Sequence, residues 1–525
     1  MNSLQIILPV ITPIAGASIA LLLPQKAKIQ AAIGIATFIA TCLAALSLLI
    51  TTNEYGYVKL ELGGWQSPFG ISFVADRFAA IMTMVSAFLG LSISIYATGD
   101  LTSTLLKRWY YPLTLFLVAA VNGAFLTADL FNLYVWFEIM LIASFALMTA
   151  GGSKSQFEGG FKYVAINLIA SAFFLVGLGL LYGKMGTLNM ADVALKLSVS
   201  PGGPMVNSSA VFFLVAFAIK AGLFPFFFWL PASYHTPPIS ISALFAGLLT
   251  KVGVYALIRT NTLIFTQEAD FLRGALIVLS LATMITGVLG AAAQYDIKRI
   301  LSFHIISQIG YMTLGLALFT QTAIAAAIFY TIHHIIVKTN LFLIAGIIIK
   351  KTGTDQLGKI GGLYKASPWL ALLFFIPAFS LGGIPPLSGF WAKFALVKEG
   401  LEQEYYWSIV IALVVGVMTL FSMTKIWGEA FWKKSPDNAK PMKRLKHKWS
   451  LYTPVVAFSI ITAAIGLYSQ PLFHFSNQAA AQIMSPDSYI EFALPPEYVE
   501  HIRSLDNISI ETPIAAHSTK TATNQ

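Results

Sequence analysis

Fourteen times along this chain the sequence runs predominantly apolar for about twenty residues or more, near 4–23, 29–51, 71–97, 109–127, 129–150, 160–183, 208–230, 238–260, 271–293, 299–320, 322–350, 367–397, 406–431 and 450–470. Roughly twenty helical residues cross the hydrocarbon core of a bilayer. Only α-helices and closed barrels satisfy their backbone polar groups in lipid. Continuous apolar runs, with no period-two alternation, select helices. The composition agrees, with 57% hydrophobic and 11% charged residues, where a soluble domain has about 25% charged. It excludes a soluble globular protein, a disordered chain and a disulfide scaffold. The single cysteine, Cys42, excludes internal disulfides and thiolate metal sites. No gap before residue 471 has room for a soluble domain. The expected fold is an all-α polytopic membrane protein with 14 transmembrane helices.

The net charge is +10 and the pI about 9.3. An even number of crossings puts both termini on one side. With the termini outside, the inside loops hold Lys26, Lys28, Lys107, Arg108, Lys154, Lys162, Lys298 and Arg299. They also hold Lys350, Lys351, Lys359, Lys365 and the group Lys433, Lys434, Lys440, Lys443, Arg444, Lys446 and Lys448. The outside keeps Lys59, Lys184, Lys196, Arg259, Arg273, Lys398, Arg503 and Lys520. Basic residues gather on the cytoplasmic side of membrane proteins, so this orientation is preferred, and the basic pI reads as topology rather than nucleic-acid binding. The first apolar segment follows an uncharged Met-Asn-Ser start and is read as a retained helix. The 52–70 loop, with Glu54, Glu61, Gly63, Gly64 and Pro68, has room for a small hairpin. The tail beyond 471 is amphipathic around 485–506 and then Ser/Thr-rich. It is expected to lie on the surface and end in disorder.

Six basic residues fall outside the loops. Arg77 and Lys425 sit near helix ends, where long side chains snorkel to the interface. Lys220, Lys251, Lys338 and Lys393 do not. Lys220 lies about 18 Å into a helix starting near 208, at ~1.5 Å per residue. Lys251 is similarly deep past Pro238, and Lys338 is in mid-segment. Glu138 is the one acid deep inside a helix. A lysine at the bilayer centre costs at least ~2.5–3.5 kcal/mol on insertion scales. One acid cannot pair four bases, so salt-bridge glue does not account for them. A file of titratable groups does, because burial and a nearby carboxylate act in opposite directions on a lysine's hold on its proton. His304, His333 and His334 lie in apolar segments as well. His334 and Lys338, four residues apart, share a helix face, and histidine exchanges protons near neutral pH. That favours a relay role for His334 and leaves His304 open between relay and core.

Two segments carry proline at depth beside a lysine. In Lys220-Ala-Gly-Leu-Phe-Pro225, the proline frees the carbonyl of Ala221; in Ser380-Leu-Gly-Gly-Ile-Pro-Pro-Leu-Ser-Gly389, Pro385 and Pro386 free those of Leu381 and Gly382. Lys393 follows two turns later on roughly the same face. Broken helices in corresponding places of two halves mark ion paths in transporters. Segments four to eight and nine to thirteen are thus expected to form two inverted five-helix repeats, with helices 7 and 12 broken. The chain then divides into 1–108 (helices 1–3), 109–260 (first repeat), 271–432 (second repeat) and 450–525 (helix 14 and tail). Segment eight opens with Thr236-Pro237-Pro238, read as an N-cap followed by proline in the first turn.

The stretch AIKAGLFPFFFWLPASYHTPPISISALFAGLLTKVGVYALIR (218–259) closely resembles the antiporter-like subunits of respiratory complex I and of the multisubunit Mrp cation/proton antiporters. KRILSFHIISQIGYM (298–312), LFNLYVWFEIML (130–141) and GIPPLSGFWAKF (383–394) do so too, and the resemblance covers about residues 70–430. Phe227 stands where complex I members usually place a histidine. With the TPP loop and LLTKVGVY, this is similar to the D subunit of the Mrp antiporters. The resemblance implies that Glu138 is the helix-5 glutamate, Lys220 its helix-7 lysine partner, Lys251 the helix-8 relay lysine and Lys393 the helix-12 terminal lysine. It implies a proton-translocating subunit of a Na⁺/H⁺ antiporter in a bacterial cytoplasmic membrane, assembled with other membrane subunits. The expected relay is Glu138, Lys220, Lys251, His334, Lys338 and Lys393, gated at Pro225, Pro385 and Pro386. No cofactor is expected, and the Na⁺ site is left unassigned. The alternatives are a proton-pumping subunit of a quinone oxidoreductase or membrane hydrogenase, and a non-transporting assembly scaffold.

Overall fold

The computed structural model describes residues 3–23, 26–107, 109–200, 202–266, 269–437 and 441–511. Among these, eleven helices are long and apolar enough to cross a membrane, and three further apolar helices are shorter. In chain order the apolar helices are α1 (Leu8–Leu22), α2 (Ala27–Tyr55), α3 (Arg77–Asp100), α4 (Tyr110–Leu126), α5 (Leu130–Thr149) and α6 (Lys154–Met185). Next come α7a (Gly203–Ala221), the short α7b (Trp229–Ser233), α8 (Ile239–Leu263), α9 (Phe271–Ala293), α10 (Ile297–Leu318) and α11 (Gln321–Thr352). The last are α12a (Pro368–Gly382), α12b (Ser388–Glu402), α13 (Tyr406–Trp427) and α14 (Lys448–Leu467). A helix that is apolar all round belongs in the interior. Accordingly α8 is buried along its whole apolar window and α10 and α11 over 94% of theirs, whereas α2 buries 28%. The outer helices turn large apolar side chains such as Ile142, Phe161 and Val278 outward.

The connections are short and capped. Asp129 accepts from the Asn132 amide at the start of α5, and Asp296 from the Arg299 amide at the start of α10. Asp129 also bridges to Asn189, and Asp296 to Gln356. Ser153 caps α6, which ends in left-handed Gly186; Thr320 caps α11, which ends in left-handed Gly353. Each of these features in the second group lies 167 residues after its counterpart in the first.

Both broken helices close in the same way. At the end of α7a, Gly222 (φ 82°) and Leu223 both donate to the Ala218 carbonyl at 2.9 Å. At the end of α12a, Gly383 (φ 88°) and Ile384 both donate to Phe379, at 3.1 and 3.2 Å. A left-handed residue satisfying two late carbonyls is a standard helix stop, and glycine adopts it without strain. The helices therefore end at glycine, a few residues before the prolines that keep them from resuming.

Four local expectations change. The 52–70 hairpin forms, but its second strand, Ser72–Ala75, pairs with Val58–Glu61 and delays α3 until Arg77. Thr236 does not cap α8: the helix starts at Ile239, and the Asp100 carboxylate accepts from the Ser240 amide (2.9 Å) and hydroxyl (2.8 Å). An aspartate reaching in from α3 also ties two helices together, which a local threonine could not do. Arg259 is not a loop residue but is buried in α8, paired with Asp76 at 2.6 Å. The tail is more than a surface strand of helix. Gln470–Ile483, Pro486–Ala493 and Pro496–Glu511 are helices, with Ile483, Tyr489, Ile490 and Val499 buried; Gln482 donates to Gly56 (2.7 Å) and Tyr57 stacks on Phe492. Its end beyond 511 lies outside the described residues.

Candidate functional site

The first break positions Lys220. Lys220 is 4% exposed, and its ammonium donates to the Ser171 hydroxyl of α6 at 3.2 Å. The Phe137 ring of α5 lies 4.6 Å beneath it, and Glu138 is the next residue. Glu138 acts on Lys220 through space without a direct ion pair, and its Oε1 is buried without a hydrogen-bond partner among the described residues. Lys220 is held by the Ser171 hydroxyl rather than by the Ala221 carbonyl that Pro225 frees. The break is pinned from outside by Thr283 of α9, which accepts from the Phe224 amide at 2.8 Å, and from inside by the Trp229 indole, which donates to Ile219 at 3.1 Å.

The next lysine enters on α8. A Cβ on Gly253 would lie 2.6 Å from the Ala221 nitrogen and 2.9 Å from the Lys220 carbonyl carbon. Small residues let membrane helices approach this closely, so α8 runs against the end of α7a two residues from Lys251. Lys251 is fully buried and donates to the Ala246 carbonyl of its own helix at 2.5 Å. Lys251, Lys338 and His334 lie close enough to act on one another's charge. Lys338 Nζ and both ring nitrogens of His334 are buried without hydrogen-bond partners among the described residues.

From there the groups continue to the second break. His333 Nδ1 is 2.8 Å from the Ser388 hydroxyl, which is 2.9 Å from that of Ser380. These serines stand on either side of the gap between α12a and α12b. Lys393 donates to the carbonyls of Leu381 (3.0 Å) and Gly382 (3.4 Å), the two that the prolines leave without helical donors. The Tyr311 ring lies 4.7 Å from its ammonium. Tyr330 connects the cluster: its ring packs on those of Tyr311, His333 and His334, and its hydroxyl bonds Gln308. Gln308 also donates to Ser307 (2.7 Å), beside buried His304.

Lys220, Lys251, Lys338, His304, His333 and His334 are thus buried, and Lys393 is half-buried beside the second break. Reading the sequence missed the hydroxyl and amide groups between them: Ser171, Ser380, Ser388, Gln308, Tyr311 and Tyr330. Their signal was faint, a polar atom on an otherwise apolar helix. Lys425, in the last turn of α13, reaches across to cap the C-terminal end of α9 through Ala292 and Gln294, both at 2.7 Å. Among the described residues no three His, Cys, Asp or Glu side chains gather to hold a metal ion.

Residues 127–419 match the family model described as NADH:quinone oxidoreductase/Mrp antiporter, transmembrane. The D subunit of the Na(+)/H(+) antiporter of Alkalihalophilus pseudofirmus is 47% identical over 94% of this chain and 100% of its own length. A chain in the structure of the Mrp complex from Dietzia sp. DQ12-45-1b superposes with a TM-score of 0.87 at 32% identity, covering 94% of this chain and all of that one. A chain of an archaeal membrane-bound sulfane sulfur reductase, a respiratory complex, follows at TM-score 0.85 and 26% identity, over 94% of this chain and 99% of that one. This chain belongs to the NADH:quinone oxidoreductase/Mrp antiporter family of membrane proteins.

Proposed function

We propose that this chain is the proton-translocating subunit of a multisubunit monovalent cation/proton antiporter, set in a bacterial cytoplasmic membrane with both termini outside. Protons pass along Glu138, Lys220, Lys251, His334, Lys338 and Lys393, with access alternating at the breaks around Pro225 and around Pro385 and Pro386. The observation that carries the reading is the file itself. Buried polar groups are nearly always hydrogen-bonded to protein or water. Here Lys338 and His334 lack partners among the described residues at the middle of the file, which suits a path that water and protons enter.

The fourteen apolar helices are read as fourteen crossings and α4–α8 and α9–α13 as inverted repeats. The 167-residue offset shared by α5–α6 and α10–α11 supports this. It places Tyr163 opposite Tyr330, Asn167 opposite His334 and Ser171 opposite Lys338. The hydroxyl that holds Lys220 thus occupies the place of a relay lysine. A pumping subunit of a redox complex is the second reading, favoured by the likeness to the archaeal respiratory complex. With one cysteine, Cys42, this chain would depend on other subunits for its electrons.

Lys220→Ala should abolish Na⁺-driven proton movement in membrane vesicles while the complex still assembles. Glu138→Gln should do nearly the same. Wild-type antiport in Lys220→Ala contradicts the relay. Proton movement that needs a quinone-linked electron donor, and not a Na⁺ gradient, selects the second reading.

A further inference from the structure

A cavity of about 680 Å³, outside the proton file, opens where the C-terminal end of α11 meets the starts of α12a and α14. Lys351, Lys443, Arg444 and Lys448 line it, and among the described residues no acid does. The polypeptide holds it in shape: the Lys443 amide donates to the Lys351 carbonyl at 2.9 Å, and the Lys351 ammonium bonds Ser367. Trp369 and Trp449 flank it with 75% and 87% of their surface exposed, and apolar residues such as Leu370 complete the lining.

We propose that this cavity binds the headgroup of an anionic phospholipid with two phosphates, the diphosphatidylglycerol class. Four cations in one concavity repel one another, and Lys351 and Lys448 act on each other as like charges. A two-phosphate lipid sets two negative charges among these four cations, and a one-phosphate lipid only one. Basic pockets between transmembrane helices on the cytoplasmic side suit such headgroups. Exposed tryptophans mark the lipid–water interface, which separates a lipid from a soluble anion. The cavity lies on the face rich in lysine and arginine, where anionic lipid and inside-positive loops meet.

The test uses the complete antiporter complex, delipidated in mild detergent. Thermal unfolding is followed with diphosphatidylglycerol, phosphatidylglycerol, phosphatidylethanolamine or inorganic phosphate added. A ligand bound only by the folded form raises the midpoint. The two-phosphate lipid should raise it most, and K443Q/R444Q/K448Q should remove that rise. An equal rise in the triple variant overturns the site. An equal rise with inorganic phosphate makes it a free-anion site, and an equal rise with phosphatidylglycerol removes the need for two phosphates; either outcome overturns the proposal as stated. If the triple variant fails to assemble, R444Q is examined by native mass spectrometry. It should retain less diphosphatidylglycerol than wild type, and undiminished retention refutes the assignment.

Discussion

Lys393 sets its ammonium 3.0 Å from the carbonyl oxygen of Leu381, twelve residues back across the second helix break. One proline-rich gap thus both frees an acceptor and brings the side chain that fills it. The lysine is held by neutral carbonyls, with no acid as its partner among the described residues. Lys393→Gln retains an amide donor for those carbonyls but cannot carry a proton. It should assemble normally and lose Na⁺-driven proton movement, as measured in vesicles. Antiport that survives the change, in a complex of normal abundance, makes Lys393 a structural clamp only.

Much of this arrangement was legible in the sequence because it rests on expensive residues. A lysine or a proline inside an apolar run announces itself: Lys220, Lys251 and Lys338 are buried, Lys393 is half-buried at the second break, and Pro225 and Pro386 follow the two helix stops. The glycine stops were harder to read, since Gly222 and Gly383 resemble the many glycines that only ease packing. Ser171 and Tyr330 were invisible for a similar reason: a serine or tyrosine in a membrane helix costs little, so its presence says little about its partner. Arg259 was misplaced because its position near a helix end suggested a loop, and only the tertiary fold reveals Asp76 waiting for it across from α3.

Gly253 is where the fold depends on having no side chain. A valine there would drive its Cβ into the backbone at Lys220 and Ala221, at 2.9 and 2.6 Å. Backbone cannot swing aside as a side-chain tip can, so α8 must move away from the break. Overpacking of this kind costs about 1–3 kcal/mol. Gly253→Val should lower the unfolding midpoint and reduce antiport more than protein abundance, since it separates Lys251 from Lys220. Equal losses in abundance and transport would mean that the contact serves stability alone.

The Asp76–Arg259 pair anchors α3 to α8 at the end away from the Asp100 cap. It is 2.6 Å long, with 1% and 5% of the two side chains exposed, and the Tyr255 hydroxyl lies 2.9 Å from the guanidinium. Removing one partner of a buried pair leaves the other charge unpaired, at a cost of about 3–5 kcal/mol. Asp76→Asn should therefore markedly reduce the thermal stability of the assembled complex. The double variant Asp76→Asn with Arg259→Gln should recover part of the loss. Thermal unfolding of the two variants decides the point: a double variant no more stable than the single one rules out the unpaired charge as the cause.

His235 offers a pH-dependent test outside the spans. It sits in the turn between α7b and α8, its Nδ1 2.8 Å from the Pro231 carbonyl and its Nε2 3.4 Å from the Arg299 guanidinium. Burial, reinforced by Arg299, lowers it from an ordinary 6.5 to about 4. The folded turn thus prefers neutral imidazole, which can donate to Pro231 and accept from Arg299. Its contribution is present above about pH 6.5 and is lost as the pH falls toward 4, because the opened turn takes up a proton that the closed one refuses. Hydrogen exchange at the Tyr234 and Thr236 amides, corrected for intrinsic rates, should rise as the pH is lowered through that window. His235→Gln, which donates and accepts without titrating, should flatten the response. Exchange in wild type that stays flat between those limits would show that the turn is held by Ser233 and Thr236, and that His235 does not govern it.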